Sequence, residues 1–543
     1  MTLFNETLNG KESKNITVGS NSQPSQPSLS GASKAETIQG WLIDKLAEVL
    51  EIEPNQIDVR QDFEEYGLES AEAINLSGDL EDYLDRRLPP TLLWDYQNIE
   101  ALAQYLAHSN LSSSQANFIE LSSSPIVTDL SQTSIPNYSS EIPIENYKFE
   151  EFPEYKKLLE QQKQVASLGN GNPFFVPQET IVNDRTTING RELVNFATYN
   201  YIGMCGDPQV TQAVKDATDL YGTSACASRL VSGEKPLHRE LERELADFIG
   251  VEDSIILVGG HATNVTTIGH LFGKDDLIVY DSSSHNSVLQ GCFLSGASLV
   301  AFPHNDTEAL EKILSDRRHR YQRVLIAIEG VYSADGDIAD LPAVIELKQK
   351  YKAFLMVDEA HSMGTIGKTG RGISEYFQID PNDVDLWMGT LSKSFGSCGG
   401  YIAGNCALVE YLKYTAPGFV FSVGMSPPNA AASLAAIRVL KADPQRATLL
   451  QSRAKLFLDL AKEQGLDTGM SKDSPAIPII VGDTLKSIQL SQNLFKRGIN
   501  VPFMIYPSVP QNGARLRFFI TCNHTESQIR STVKILTEEL ERL

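Results

Sequence analysis

Asp358, His361 and Lys393 are residues whose types and spacing could do chemistry together. The apolar run Phe354-Leu355-Met356-Val357 ends on Asp358, and His361 follows three residues later. Lys393 is flanked by Thr390 and Ser392 in a glycine-punctuated stretch. A carboxylate at the carboxyl end of a strand and an amine in a small-residue loop suit pyridoxal phosphate. The amine can form a Schiff base with the cofactor's aldehyde, and the buried carboxylate keeps the ring nitrogen protonated, so that the ring draws in electrons. Either residue alone would read as a surface lysine or a turn aspartate; the pair in this setting points to the cofactor.

The segment Asp358-Glu359-Ala360-His361 resembles the α-oxoamine synthases, pyridoxal phosphate enzymes of fold type I, over about residues 150–543. In that family histidine occupies the position that aspartate aminotransferase-like relatives fill with tyrosine. The family condenses an amino acid with an acyl thioester, loses carbon dioxide and releases an α-amino ketone. The resemblance implies roles for Lys393 as Schiff-base lysine and proton acceptor, and for Asp358 as partner of the ring nitrogen.

Further segments carry the resemblance. Gly259-Gly260-His261-Ala262-Thr263-Asn264 follows an apolar run and opens a helical pattern, where backbone amides and close approach at Gly260 suit a phosphate. His261 is placed beside the cofactor by the resemblance, or is a core or surface histidine. Asp281-Ser282-Ser283-Ser284-His285 matches the segment whose histidine stacks on the pyridine face, and Glu329-Gly330-Val331-Tyr332-Ser333-Ala334-Asp335-Gly336-Asp337 brings Ser333, with His361, near the phenolic oxygen. The resemblance gives Thr390 to the phosphate and Asn200 to the substrate, Asn200 reading equally as a turn residue; Ser508 is a further substrate candidate. Arginine is the natural fork for an α-carboxylate, and Arg517 best matches the family position. Strand alternation points Arg515 and Arg517 to one face, so position alone does not separate them. Tyr506 stands where 8-amino-7-oxononanoate synthases carry an arginine for the far carboxylate of the acyl chain, which speaks against a pimeloyl substrate.

A second chemical motif precedes these. Asp62-Phe63-Glu64-Glu65-Tyr66-Gly67-Leu68-Glu69-Ser70 resembles the acyl or peptidyl carrier signature, in which the serine receives 4′-phosphopantetheine at a helix start. Ser70 could otherwise be a plain helix cap. Ala71 departs from the bulky apolar residue usual after that serine.

These residues need elements to position them. Apolar residues recur at helical spacing over Ile38–Leu50, Ala73–Leu84 and Ile99–Leu106, predicting a small all-α carrier bundle over 34–108. Residues 1–33 read as disordered, and 109–147 as a Ser/Asn/Pro-rich linker. Such a linker spans roughly 35 Å and tethers an acyl group at millimolar-scale effective concentration. Strand-like runs alternating with amphipathic helices predict an α/β domain with a mostly parallel sheet over 148–430, then a smaller α+β domain over 431–543.

Composition narrows the class. The chain has 543 residues, 41% hydrophobic and 21% charged, as in an ordinary globular protein with a sizeable core. A net charge of −23 with no basic stripe argues against nucleic acid. No apolar stretch is long enough to span a bilayer, residues 1–33 lack the apolar region of a secretory signal, and the six cysteines lack metal or CxxC spacing, so a cytoplasmic protein is expected. The expected partners are an amino acid, an acyl thioester, a phosphopantetheinyl transferase, an acyl-loading enzyme and, by the resemblance, a second copy of the chain. Rival functions are an aminotransferase on the same fold, against which His361 and the Glu329–Asp337 segment speak, and a catalytically idle carrier scaffold.

Overall fold

The computed structural model describes residues 31–108 apart from 51, 69, 85, 87 and 90, then 142–167, 173–506 and 508–543. The expected disordered start up to residue 30, and residues 109–141 of the linker expected over 109–147, lie outside them, while the end of that linker carries a 3-10 turn at Ile144–Asn146. The first helices are α1 (Gly31–Leu50), α2 (Ser70–Leu84), α3 (Leu92–Asp95) and α4 (Ile99–His108), three of which coincide with the periodic segments of the sequence. α1 begins at Gly31, so residues 31–33 are helical and not part of a disordered start.

The chain divides into two compact units, Met1–Asp62 with Gln97–Gln115, and Phe63–Tyr96 with Ala116–Leu543. This differs from a self-contained bundle over 34–108. In the first unit α1 packs on α4, burying Leu42, Leu46, Leu102 and Leu106. α2 and α3 belong to the second unit because α2 finds its apolar partners there: Ile74 is buried in a cluster with Leu299, Ala301 and Val288.

The second unit opens its sheet structure with a hairpin of β1 (Arg185–Ile188) and β2 (Arg191–Asn195). Asn189 and Gly190 make the turn, both at positive φ, as a two-residue hairpin requires. The central sheet has seven strands, β3 (Asp253–Leu257), β4 (Leu277–Asp281), β5 (Ser298–Phe302), β6 (Val324–Glu329), β7 (Phe354–Asp358), β8 (Leu386–Thr390) and β9 (Gly400–Gly404), in the order β3-β9-β8-β7-β6-β4-β5. Only β9 runs against the rest. β4, β6 and β8 are buried at every position, which is why they read as unbroken apolar runs. Alternate residues feed opposite faces: Val279, Ile326 and Val357 enter one core, and Ile278, Leu325 and Met356 the other.

Helices α5 (Gly260–Leu271), α6 (Asn286–Ser295) and α7 (Thr307–Arg317) connect these strands. The smaller sheet has the order β10-β13-β12, from β10 (Ala476–Gly482), β12 (Phe503–Met504) and β13 (Ala514–Phe519), while β11 (Ile499–Asn500) joins the hairpin through β2. The boundary expected at 430/431 falls inside the helix Pro427–Ala442, whose Ala430, Ala431 and Leu434 are buried, so no break in the chain marks it. Among the described residues no helix is long and apolar enough to cross a membrane.

Candidate active site

Parallel strands gather their carboxyl ends at one edge of the sheet, and that is where ligand sites of α/β folds form. Here Asp281, Glu329, Asp358 and Thr390 end β4, β6, β7 and β8. Lys393 follows β8 by three residues, and its Nζ lies 2.8 Å from His361 Nε2. His361 Nδ1 lies 2.8 Å from the hydroxyl of Tyr201, which is fully buried. Burial, reinforced by Lys393 and Arg517, holds His361 far below the usual histidine range, so the ring is neutral. An ammonium at Lys393 donates to Nε2, and the Nδ1–H then donates to Tyr201. Burial also lowers Lys393 to about 8, against the opposing pull of Asp358 and Glu329. The amine is therefore easier to discharge than a surface lysine.

Asp358 is oriented from two sides. Its Oδ1 accepts the Ala360 N–H at 2.9 Å and its Oδ2 accepts the Asn264 amide at 2.8 Å. The same Asn264 nitrogen donates to Ser287 Oγ at 2.9 Å, and that hydroxyl lies 2.8 Å from His285 Nδ1. His285 caps α6, with Nδ1 accepting the Ser287 backbone N–H, and the His285 backbone N–H donates to the Glu329 carboxyl. These contacts fix the imidazole plane while leaving Nε2 outside the network. Burial lowers His285 and raises the buried Glu329, whose shift the neighbouring Asp358 reinforces.

At the start of α5, a Cβ on Gly260 would come within 2.8 Å of Thr390 Oγ1, so only glycine leaves the Thr390 hydroxyl beside the helix amides. His261 follows on the exposed rim of that helix. The amides, Thr390 and the Ser392 hydroxyl 2.8 Å from it form a polar cradle suited to a phosphate. Asp358, Lys393 and His285 beside it fit a pyridine ring bearing an aldehyde.

The structure separates the two arginines of β13. Arg515 is buried and spent: it pairs with Asp335 at 2.5 Å and donates to the carbonyls of Ala334 and Gly513. Arg517 donates through Nη1 to the carbonyl and hydroxyl oxygens of Ser333, at 3.1 and 3.2 Å, and through Nη2 to the Tyr199 hydroxyl at 3.2 Å. Its guanidinium lies over Phe519, and its buried Nε has no hydrogen-bond partner. A guanidinium has five N–H donors, so the buried Nε–H and one Nη2–H carry no protein partner.

Other candidates sit differently. Asn200 donates to the carbonyls of Val182 and Cys205 and accepts the Cys205 N–H, so the structure places its carboxamide in holding a turn. Ser508 lies in an exposed turn, its N–H bonded to the carbonyl of Ile505. Asp337 packs with His304, which also bonds Asp281. Between Asp335 and Asp337, a Cβ on Gly336 (φ +70°) would overlap the Ala476 carbonyl, which explains the glycine. Ser70 is the first residue of α2, and its side chain lies outside the described residues. Two members of the site escaped the sequence reading, Tyr201 and Asn264. A signal existed for Asn264, which stands four residues after Gly260 and so on the same helix face.

This chain belongs to the aminotransferase class I and II family, whose profile matches residues 191–536. The profile for a phosphopantetheine attachment site matches residues 40–106. The 8-amino-7-oxononanoate synthase of Thermoanaerobacter pseudethanolicus is 37% identical over 350 residues, covering 64% of this chain and 88% of that protein. A Sphingomonas wittichii serine palmitoyltransferase structure superposes with a TM-score of 0.69 at 30% identity, over 72% of this chain and 98% of that one. An SPT structure with PLP superposes at 0.68, with 30% identity over 72% and 98% of the two chains. Within the family, then, this is an α-oxoamine synthase joined to a phosphopantetheine-attachment domain.

Proposed function

We propose that this enzyme condenses an amino acid with an acyl thioester carried on the phosphopantetheine arm of Ser70, releasing carbon dioxide and an α-amino ketone, in a polyketide, lipid or other secondary-metabolite pathway. Its cofactors are pyridoxal phosphate and 4′-phosphopantetheine. Bound pyridoxal phosphate supplies an electron sink at the substrate α-carbon. Lys393 would hold it covalently, and the Lys393 Nζ, when free, would accept the α-proton. An amine lowered to about 8 suits that task near neutral pH. Asp358, held by Asn264 and the Ala360 amide, would keep the ring nitrogen protonated. His285 would cover one ring face, His361 and Ser333 would lie toward the phenolic oxygen, Gly260 and Thr390 would receive the phosphate, and His261 would border it. Arg517 grips the substrate carboxylate, whereas Asn200, spent on its turn, and Ser508, in an exposed turn, are left outside that grip.

The single observation that carries this reading is the hydrogen-bonded line Lys393–His361–Tyr201 facing Asp358 and an arginine with donors to spare. The carried acyl donor rests on the attachment-site match around Ser70. A phosphopantetheinyl transferase and an acyl-loading enzyme are the required partners. A homodimer is part of this reading by the family resemblance, and Val231 and Phe421, 81% and 86% exposed, are apolar side chains that a second copy could cover.

The test is single-turnover mass spectrometry. Phosphopantetheinylated protein loaded with acetyl, octanoyl or palmitoyl groups is mixed with glycine, L-alanine or L-serine. An amino ketone with loss of one carbon dioxide is expected, and borohydride should fix a pyridoxyl mass on Lys393. An oxo acid formed without carbon dioxide would make it an aminotransferase, and no product with no bound cofactor would leave a carrier scaffold.

A further inference from the structure

β5 is an edge strand of the central sheet, and such an edge presents backbone groups that call for a partner. The partner here is a side chain of α2. Asn75 donates its amide to the Ala301 carbonyl at 3.0 Å, and its carboxamide oxygen accepts the Ala301 N–H at 2.8 Å, as a neighbouring strand would. Around that pair Ile74 is buried in the cluster beneath the sheet, with Ala71 packed against it. Trp94 of α3 meets Phe293 of α6 edge-on, with ring centroids 6.0 Å apart. Charge frames the contact: Asp79 and Asp82 of α2 lie 3.3 and 3.1 Å from Arg317 at the end of α7, and Arg320 lies 3.0 Å from Asp82.

The direction of α2 is the informative part. Asn75 faces Ala301 near the carboxyl end of β5, whereas Glu81 faces Ser298 at its start, so α2 runs antiparallel to β5. Its first residue, Ser70, therefore lies toward the edge of the sheet where Asp281, Glu329 and Asp358 end their strands. Five residues of helix separate Asn75 from Ser70, about 7.5 Å along the axis. From β5 across β4 and β6 to β7 is three strand spacings, about 14 Å.

We propose that the β5 edge with Arg317 and Arg320 is a receptor for the arm-bearing helix, which seats it with the arm's attachment point on the catalytic side of the sheet for delivery to the pyridoxal phosphate site. Delivery rests on the reading of Ser70 as the acyl carrier; the seat itself does not.

Two variants of the full-length phosphopantetheinylated enzyme test it, Asn75→Leu and the charge reversal Arg317→Glu/Arg320→Glu. Hydrogen exchange reads the seat: the Ala301 amide and the amides of α2 should exchange at least tenfold faster in Asn75→Leu. Turnover reads delivery. Condensation from octanoyl groups loaded on Ser70 should fall about tenfold in both variants, while turnover of free octanoyl-coenzyme A and α-proton exchange of the amino acid stay at wild-type rates. Adding Asp79→Arg/Asp82→Arg to the charge reversal should restore much of the carrier-borne rate. Unchanged exchange at Ala301 and α2 would overturn the seat, and faster exchange with an undiminished carrier-borne rate would overturn its part in delivery. If wild-type protein condensed nothing from either donor, the reading of the reaction would fail, and the exchange arm would still decide the seat.

Discussion

Replacing Arg517 and Arg515 in turn should produce opposite phenotypes, although the two residues are identical in type and share one strand face. Arg517 leaves its Nε–H and one Nη2–H without a protein partner, and its charge reaches Lys393 and His361. Arg517→Lys retains the charge and loses the fork, and truncating a buried charge-assisted contact of this kind costs about 2–4 kcal/mol. That corresponds to a roughly 30- to 900-fold weaker affinity for the amino acid. Arg515 instead neutralises Asp335 in a pair whose side chains are only 7% and 18% exposed. Arg515→Met strands that carboxylate, at a cost of about 3 kcal/mol in stability, and should leave amino-acid affinity within about threefold because its donors never face the substrate. Affinity is measured by titrating glycine, L-alanine and L-serine against the visible absorbance of the bound cofactor, and stability by urea unfolding of the same samples. Asp335→Asn added to Arg515→Met should recover part of the lost stability. Wild-type affinity in Arg517→Lys would refute the assignment, as would a loss of affinity in Arg515→Met that tracks no loss of stability.

Asp358→Asn should retain the cofactor yet slow α-proton exchange by about a hundredfold or more, since the ring nitrogen loses its ionic partner; deuterium wash-in by NMR checks it. Tyr201→Phe leaves the Nδ1–H of the buried His361 without an acceptor and should cost about 1–3 kcal/mol in unfolding free energy, with a shifted absorbance–pH profile of the bound cofactor as the readout that a purely structural role would not move. For His304, burial alone would lower the imidazole, but hydrogen bonds to Asp281 and Asp337 outweigh it and push the ring up to about 10. A group raised above its unfolded value, about 6.5, stabilises fully below that pH and loses the contribution as pH rises through about 10. The wild-type protein should therefore lose stability relative to His304→Asn between those limits, as urea midpoints across pH would reveal.

Much of the catalytic unit was legible in the sequence because its signals are local. An unbroken apolar run ending on a polar residue marks a buried parallel strand and its carboxyl end, and β4, β6 and β7 were each visible in that way. The gathering of Asp358, His361 and Lys393 was readable because each sits within a few residues of a strand's carboxyl end. The spacing of apolar residues likewise marked the cores of α1, α2 and α4. Other features were set only when distant segments met. Alternation gives a side chain its face but not its neighbour, so it could not separate Arg515 from Arg517, which the family match alone favoured, until Asp335 and Ser333 came to one and the other from some 180 residues away. Asn264 acquires its part from Asp358, 94 positions on, and Tyr201 from His361, 160 positions on. The periodicity of α2 predicted an apolar face without saying what would cover it; the β5 edge does, because an unpaired strand offers hydrogen bonds that Asn75 can complete, 226 residues away in the chain.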